Sequence, residues 1–216
     1  MKKLTILFIL ILVLLLNSCI GISYNIQLNR DGSGRISMEF RVSRILDDLG
    51  RFDGNESKPT IPIGRGDWER TIERIQGTRL VSFSSRENSQ DTVTNVVIDF
   101  SNPQALIEIL ASSGNNVSIN HNGQSGNFEL IIINEQTDEY DVDIINLTRS
   151  FFNDYNFSFS FSAPGSSTMT ITDGAGNTIP ASSFSTSVLS GRRVSFSAGM
   201  MDVVTQTNGL GVKINW

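Results

Sequence analysis

Cys19 carries the only thiol and His121 the only imidazole of this 216-residue chain. The two side chains that most often act as nucleophile, base or metal ligand therefore occur once each. A zinc site takes three or four His, Cys or acidic ligands, and one His with one Cys falls short of that set. Ser–His–acid catalysis would have to run through His121, and no Gly-x-Ser-x-Gly elbow accompanies it. The chain has neither a phosphate loop nor a dinucleotide fingerprint. Carboxylates remain. The run Asn29 to Phe40 imitates a calcium loop, with oxygen ligands at Asn29, Asp31 and Ser33, then Gly34 and Ile36 at the sixth and eighth places. Its twelfth place, which should be a bidentate Glu, is Phe40, and its flanks alternate as strands do. Glu135, Asp138, Glu139, Asp141 and Asp143 form an acidic cluster. Such a cluster suits a hard cation, but more often it is a solvated helix start facing the positive end of the helix dipole. A carboxylate pair of the glycosidase kind is the one hydrolytic device this inventory leaves open. The residues themselves point to a protein that is not an enzyme, with no catalytic group, metal or cofactor.

The setting of Cys19 is more informative. Lys2 and Lys3 precede an apolar run from Leu4 to Leu16, and the run ends Leu16-Asn17-Ser18-Cys19. The run has the length of a signal-peptide core and falls short of the roughly twenty apolar residues that span a bilayer. Its end resembles a bacterial lipobox, with an aliphatic residue three places before Cys and a small residue just before it. Asn17 departs from the commonest pattern, which has a smaller residue there. The resemblance implies a signal peptide over residues 1–18, cleavage before Cys19, a diacylglyceryl thioether on its sulfur and an acyl chain, such as palmitate, on its new amino group. Two or three chains hold a protein stably at a membrane, where one holds it marginally. Lipidation also accounts for an unpaired Cys in a secreted chain and removes it from any Cys–His catalysis.

Hydrophobic content of 39% and charged content of 18% describe a globular chain rather than a disordered one. Residues 19–216 carry 15 basic and 22 acidic residues, a net of −7, which argues against nucleic acid as a partner. Residues 19–86 have a net of +2 and residues 87–216 a net of −9; the half next to Cys19 is the one less repelled by anionic headgroups.

Along the chain, Ile22, Tyr24, Ile26 and Leu28 alternate with polar or small residues, as do Ile36, Met38, Phe40 and Val42. With the Gly-rich turn between them they predict a hairpin buried on one face. A short helix is expected from Ser43 to Gly50, and a second, capped by Asp67, carries Trp68, Ile72 and Ile75. Leu80–Phe83 with Val93–Phe100 reads as the next hairpin. Ser101-Asn102-Pro103-Gln104 is a helix start. Val117–Ile119 and Phe128–Ile133 form a third hairpin, and a helix from Asp138 or Asp141 runs to Phe152. Tyr155, Phe157, Phe159 and Phe161 alternate with Asn and Ser, a half-buried strand that Pro164-Gly165 should turn. That aromatic face reads as core or as one wall of an apolar pocket. Leu210, Val212, Ile214 and Trp216 look like the closing strand of an outer-membrane barrel, but the helical runs oppose a barrel. The sum predicts a single α+β domain over residues 19–216: a largely antiparallel sheet of hairpins with two to four helices packed on one face.

The hairpin around Asp31-Gly32-Ser33-Gly34, the Phe100-Ser101-Asn102-Pro103 helix start, the Phe161-Ser162-Ala163-Pro164-Gly165 segment and the closing Trp216 together resemble the LppM-type envelope lipoprotein domain. The resemblance implies an antiparallel sheet with a packed helix and an ability to bind envelope lipid. It transfers no binding residue. The expectation is a non-enzymatic protein of the bacterial cell envelope, periplasmic or surface-exposed and held in a membrane by acyl chains on Cys19. It would bind an envelope protein, another partner or an apolar lipid ligand. A lipid carrier with a defined pocket, a small outer-membrane barrel and a carboxylate hydrolase are the alternatives.

Overall fold

A computed structural model describes residues 20–44, 64–132, 155–204 and 209–216. Ten strands form one sheet. They are β1 (Ile20–Leu28), β2 (Gly34–Ser43), β3 (Thr78–Glu87), β4 (Asp91–Phe100), β5 (Asn116–His121), β6 (Gly126–Ile132), β7 (Asn156–Asp173), β8 (Thr186–Val188), β9 (Ser190–Gly199) and β10 (Leu210–Asn215). The main path runs β3-β4-β2-β1-β7-β10-β6-β5, with β9 also on β7 and β8 on β9. Helix α1 (Arg65–Arg74) precedes β3, α2 (Pro103–Ala111) follows β4, and the five-residue α3 (Met200–Val204) follows β9.

Period-2 alternation puts one side of nearly every strand in a common core. In register, Tyr24 faces Met38, Ile26 faces Ile36, and Ile36 faces Ile98. Tyr24 and Ile26 also sit beside Phe159 and Phe161. The sheet curls over this face. Phe128 of β6 stacks on Phe159 with ring centroids 5.9 Å apart and lies 5.0 Å from Phe161, although β10 and the bend in β7 separate those strands along the sheet. Strand β7 makes the corner. Its first part, to Ser162, pairs with β1 and β9, and from Thr168 it pairs with β10. Pro164 and Gly165 fall where its register with β9 shifts, between Ser162 and Ser167. A proline has no N–H to give a ladder and is tolerated at such a bend.

The helices enter from the inner side. Trp68 of α1 is fully buried, 5.8 Å from Phe40. In α2, Ala105, Leu106, Ile109 and Leu110 are buried, the 3.6-residue stripe of an amphipathic helix. Its N-cap is Asn102, whose side-chain oxygen accepts from the Ala105 N–H at 2.9 Å, with Pro103 in the first turn. Helix α1 has Gly64 as its N-cap instead, and Asp67, expected as the cap, lies inside the first turn and pairs with Arg70.

The α+β expectation is overturned. The fold is mostly β, its sheet is mixed because β1 and β7 run parallel, and only two helices exceed five residues among the described ones. Alternation shows which face of a strand is buried but not which way its neighbour runs. The expected turn at Pro164-Gly165 is a bend inside one 18-residue strand. The three expected hairpins β1–β2, β3–β4 and β5–β6 all form. The expected helices at 43–50 and 138–152 lie, wholly or nearly so, outside the described residues, as does the signal segment. Among the described residues no helix is long and apolar enough to cross a membrane.

Phe161 is fully buried between Phe128 and Trp216, 5.6 Å from the latter. Phe161→Ala should cost about 3–5 kcal/mol in urea unfolding, whereas Val81→Ala, at an exposed site, should stay within about 0.5 kcal/mol. Equal losses would mean that the aromatic contacts do not hold the curl.

Candidate functional site

The sheet has two ends of different character. β1 begins at Ile20, one residue after Cys19, and at that end lie the close of β2, the β3–β4 turn and the start of β7. The opposite end gathers the β1–β2 turn, the start of α2, the β5–β6 turn and Trp216. There the His121 Nε2 meets the Arg30 carbonyl at 2.9 Å, and its ring lies 6.1 Å from the Trp216 indole. Because a carbonyl only accepts, Nε2 is the protonated nitrogen; Nδ1 is buried and has no hydrogen-bond partner. His121 therefore ties the β1–β2 turn to the end of β5.

Across the polar outer face at this far end, four side chains stand in one row on four adjacent strands: Gln27, Arg35, Asp99 and Arg79. Arg35 Nε donates to Asp99 Oδ1 at 2.7 Å, and an Arg79 Nη donates to Asp99 Oδ2 at 2.6 Å. One carboxylate thus bridges two guanidiniums, a triad of net charge +1. It forms part of an open cleft of about 610 Å³ that Asn29, Ser33, Gly77 and Ser101 also line. The floor depends on Gly34. A Cβ there would stand 2.0 Å from the Gln27 carbonyl oxygen and 2.4 Å from the Phe100 ring, so the ring seats beneath the cleft only because position 34 has no side chain.

The Arg35 hydrogen bond holds the Asp99 carboxyl below the usual carboxylate range; Arg79 adds to this while partial desolvation opposes it. Asp31, in the turn beside the cleft, is held low by the Ser33 hydroxyl and N–H. The calcium-like run Asn29–Phe40 forms a β-hairpin: the Ser33 N–H and hydroxyl donate to Asp31 Oδ1, and β2 starts at Gly34. Among the described residues no group of three or more His, Cys, Asp or Glu is placed to hold a metal. The acidic cluster Glu135 to Asp143, and Cys19 itself, lie outside the described residues.

The aromatic face of β7 is core. Phe157, Phe159 and Phe161 are buried against Phe128 and Phe196. An outer-membrane barrel turns its apolar residues toward lipid; this sheet turns them inward and shows Ser, Asn, Gln and Arg outside. Tyr155 lies off that face, its phenol donating to Asp91 near the Cys19 end. A smaller cleft of about 220 Å³ there is lined by Gly21, Glu39, Arg41 and Tyr155 among others. The Arg–Asp–Arg group is hidden in the sequence because its members come from three strands and stand up to 64 positions apart. The pairing of β4 with β2 and with β3 would have revealed it.

No family model and no curated protein sequence matches the chain. One similar solved structure is the NMR structure of the folded domain of the Mycobacterium tuberculosis LppM protein, 12% identical, with a TM-score of 0.38 and coverage of 88% of this chain and 95% of that one. It bears the name of the family that the short motifs resemble; a superposition this loose fixes neither ligand nor role for this chain.

A carboxyl whose pKa is depressed by folding stabilises the native state above its unfolded pKa, about 3.9 for Asp, and loses that contribution as pH falls through the lower folded value. Wild type should therefore be more stable than Asp99→Asn at pH 7, and the gap should shrink as pH drops below about 4. Urea midpoints of both proteins from pH 7 to 2.5 measure this. A gap independent of pH would show that the triad's charge contributes nothing to folding.

Proposed function

We propose that this chain is a non-enzymatic, lipid-anchored protein of the bacterial cell envelope. Its anchor is acylated Cys19, and its folded domain holds the far-end cleft away from the membrane to bind a partner. The observation that carries this reading is the position of β1. That strand lies inside the sheet and begins at residue 20, so acyl chains on Cys19 would be joined to the sheet with almost no tether. Gln27, at the cleft, is seven residues farther along the strand, about 23 Å at ~3.3 Å per residue.

Two features favour a partner over an apolar ligand. The aromatic face of β7, which could have formed one wall of an apolar pocket, instead fills the core. The cleft, by contrast, presents the guanidiniums of Arg35 and Arg79, the Asp99 carboxylate, the Gln27 amide and the Ser33 hydroxyl among its lining groups. Such groups recognise polar or charged ligands by directed hydrogen bonds.

Growth with radiolabelled palmitate should label the wild-type chain and leave Cys19→Ala unlabelled, soluble after cell disruption and normally folded. Label that persists in Cys19→Ala would remove the anchor from this account. A mutant still bound to membranes would place the attachment in the domain itself.

A further inference from the structure

We propose that the cleft is an oxyanion site, in which Arg35 and Arg79 together hold one carboxylate or phosphate group of the ligand and Asp99 keeps the two guanidiniums in place until it arrives. The proposal rests on the cleft as the binding face and is independent of the chemistry at Cys19.

Four observations lead to it. First, the charges do not balance: two guanidiniums share one carboxylate. Second, the carboxylate is recessed and the cations are not. The Asp99 side chain is 25% exposed, against 47% for Arg35 and 76% for Arg79. A solute entering the cleft meets positive charge first. Third, most donors are unused. A guanidinium has five N–H groups in a planar fork, and here one nitrogen of each is engaged, Nε of Arg35 and one Nη of Arg79. The remaining N–H groups have no acceptor among the described residues. Fourth, the space is adequate. A volume near 610 Å³ falls in the range of small-molecule sites, roughly 300–1,000 Å³.

The rival explanation is a cross-strand ion triad that does no more than support β2, β4 and β3. The two explanations differ in the sign of one substitution. If Asp99 only braces the sheet, its loss loosens the arginines and gains no ligand. If Asp99 holds the place of an incoming anion, Asp99→Asn removes the competing charge, leaves two cations side by side and tightens anion binding. Loss of Arg79, which is mostly exposed, weakens binding without undoing the fold.

The test is calorimetric titration of the detergent-solubilised full chain with inorganic phosphate and, separately, with acetate, at low ionic strength where exposed charges are least screened. The account predicts saturable binding of at least one anion, weakened about tenfold or more in Arg79→Gln and strengthened in Asp99→Asn. The tighter of the two anions names the group the ligand carries. Thermal unfolding of each variant confirms that the fold is retained, and Arg35→Gln gives a second loss-of-binding arm if one variant fails to fold. No saturable binding of either anion, or binding that neither Arg79→Gln nor Asp99→Asn alters, would overturn the proposal. Neither result bears on fatty-acid labelling of Cys19, so failure of the site and failure of the anchor are told apart.

Discussion

The parallel ladder between β1 and β7 sets the form of this molecule. β1 has β2 antiparallel on one side and β7 parallel on the other, so β1 and β7 start from the same end of the sheet. Parallel neighbours cannot be joined by a tight turn, and here every strand from β2 to β6 lies between them in sequence. Strand β7 then bends at Pro164-Gly165, passes from β1 and β9 to β10, and carries β6 and β5 over the aromatic face. Phe128 against Phe159 and Phe161 is the contact that this curl creates. Aromatic pairs at such distances contribute beyond their buried area. The core is thus built from one sheet folded on itself, with α1 and α2 completing its inner side.

The same geometry gives the domain a direction. At one end lies the residue that follows Cys19; at the other, two turns, the start of α2 and the closing Trp216 are brought together by His121 and by close approaches that only glycine permits. Gly126 is the second of these, since a Cβ there would stand 2.5 Å from the Trp216 ring and 2.3 Å from the Asn120 carbonyl oxygen. Gly34 and Gly126 let two aromatic rings close the far end of the core, and above one of them, Phe100, opens the Arg–Asp–Arg cleft. Burial therefore consumes the apolar residues, and the outer face is left to polar chemistry.

Much of the fold was legible in the residues. Alternation located all three hairpins and the Tyr155–Phe161 strand, and the capping residues located α2 to within a residue. The direction of β7 was not legible. A parallel strand buried on both faces reads as a continuous apolar run, but β7 keeps its outer face polar and looks antiparallel. The length of β7 was hidden because Pro-Gly is ordinarily a turn, and only tertiary pairing with β10 carries the strand through it. The five-residue α3 was missed because it is too short for a periodic signal. Of the candidate site residues, Asp31 and His121 were visible as types; their parts in turn and tie were not. Arg35, Asp99 and Arg79 were invisible as a group, since their proximity is a product of register across three strands.

The central claim is that the domain stands with its β1 start at the membrane and its cleft away from it. Acylation of the only native cysteine would leave a cysteine introduced at Ser89, in the β3–β4 turn, or at Gln124, in the β5–β6 turn, as the only thiol open to labelling; both positions are exposed. Energy transfer from a dye at each position to acceptors in the bilayer measures their heights on lipid-anchored protein. The account predicts strong transfer from position 89 and a dye at position 124 about 20 Å or more farther from the surface, the reach of a strand of this length. Equal heights, or position 124 nearer the lipid, would contradict it.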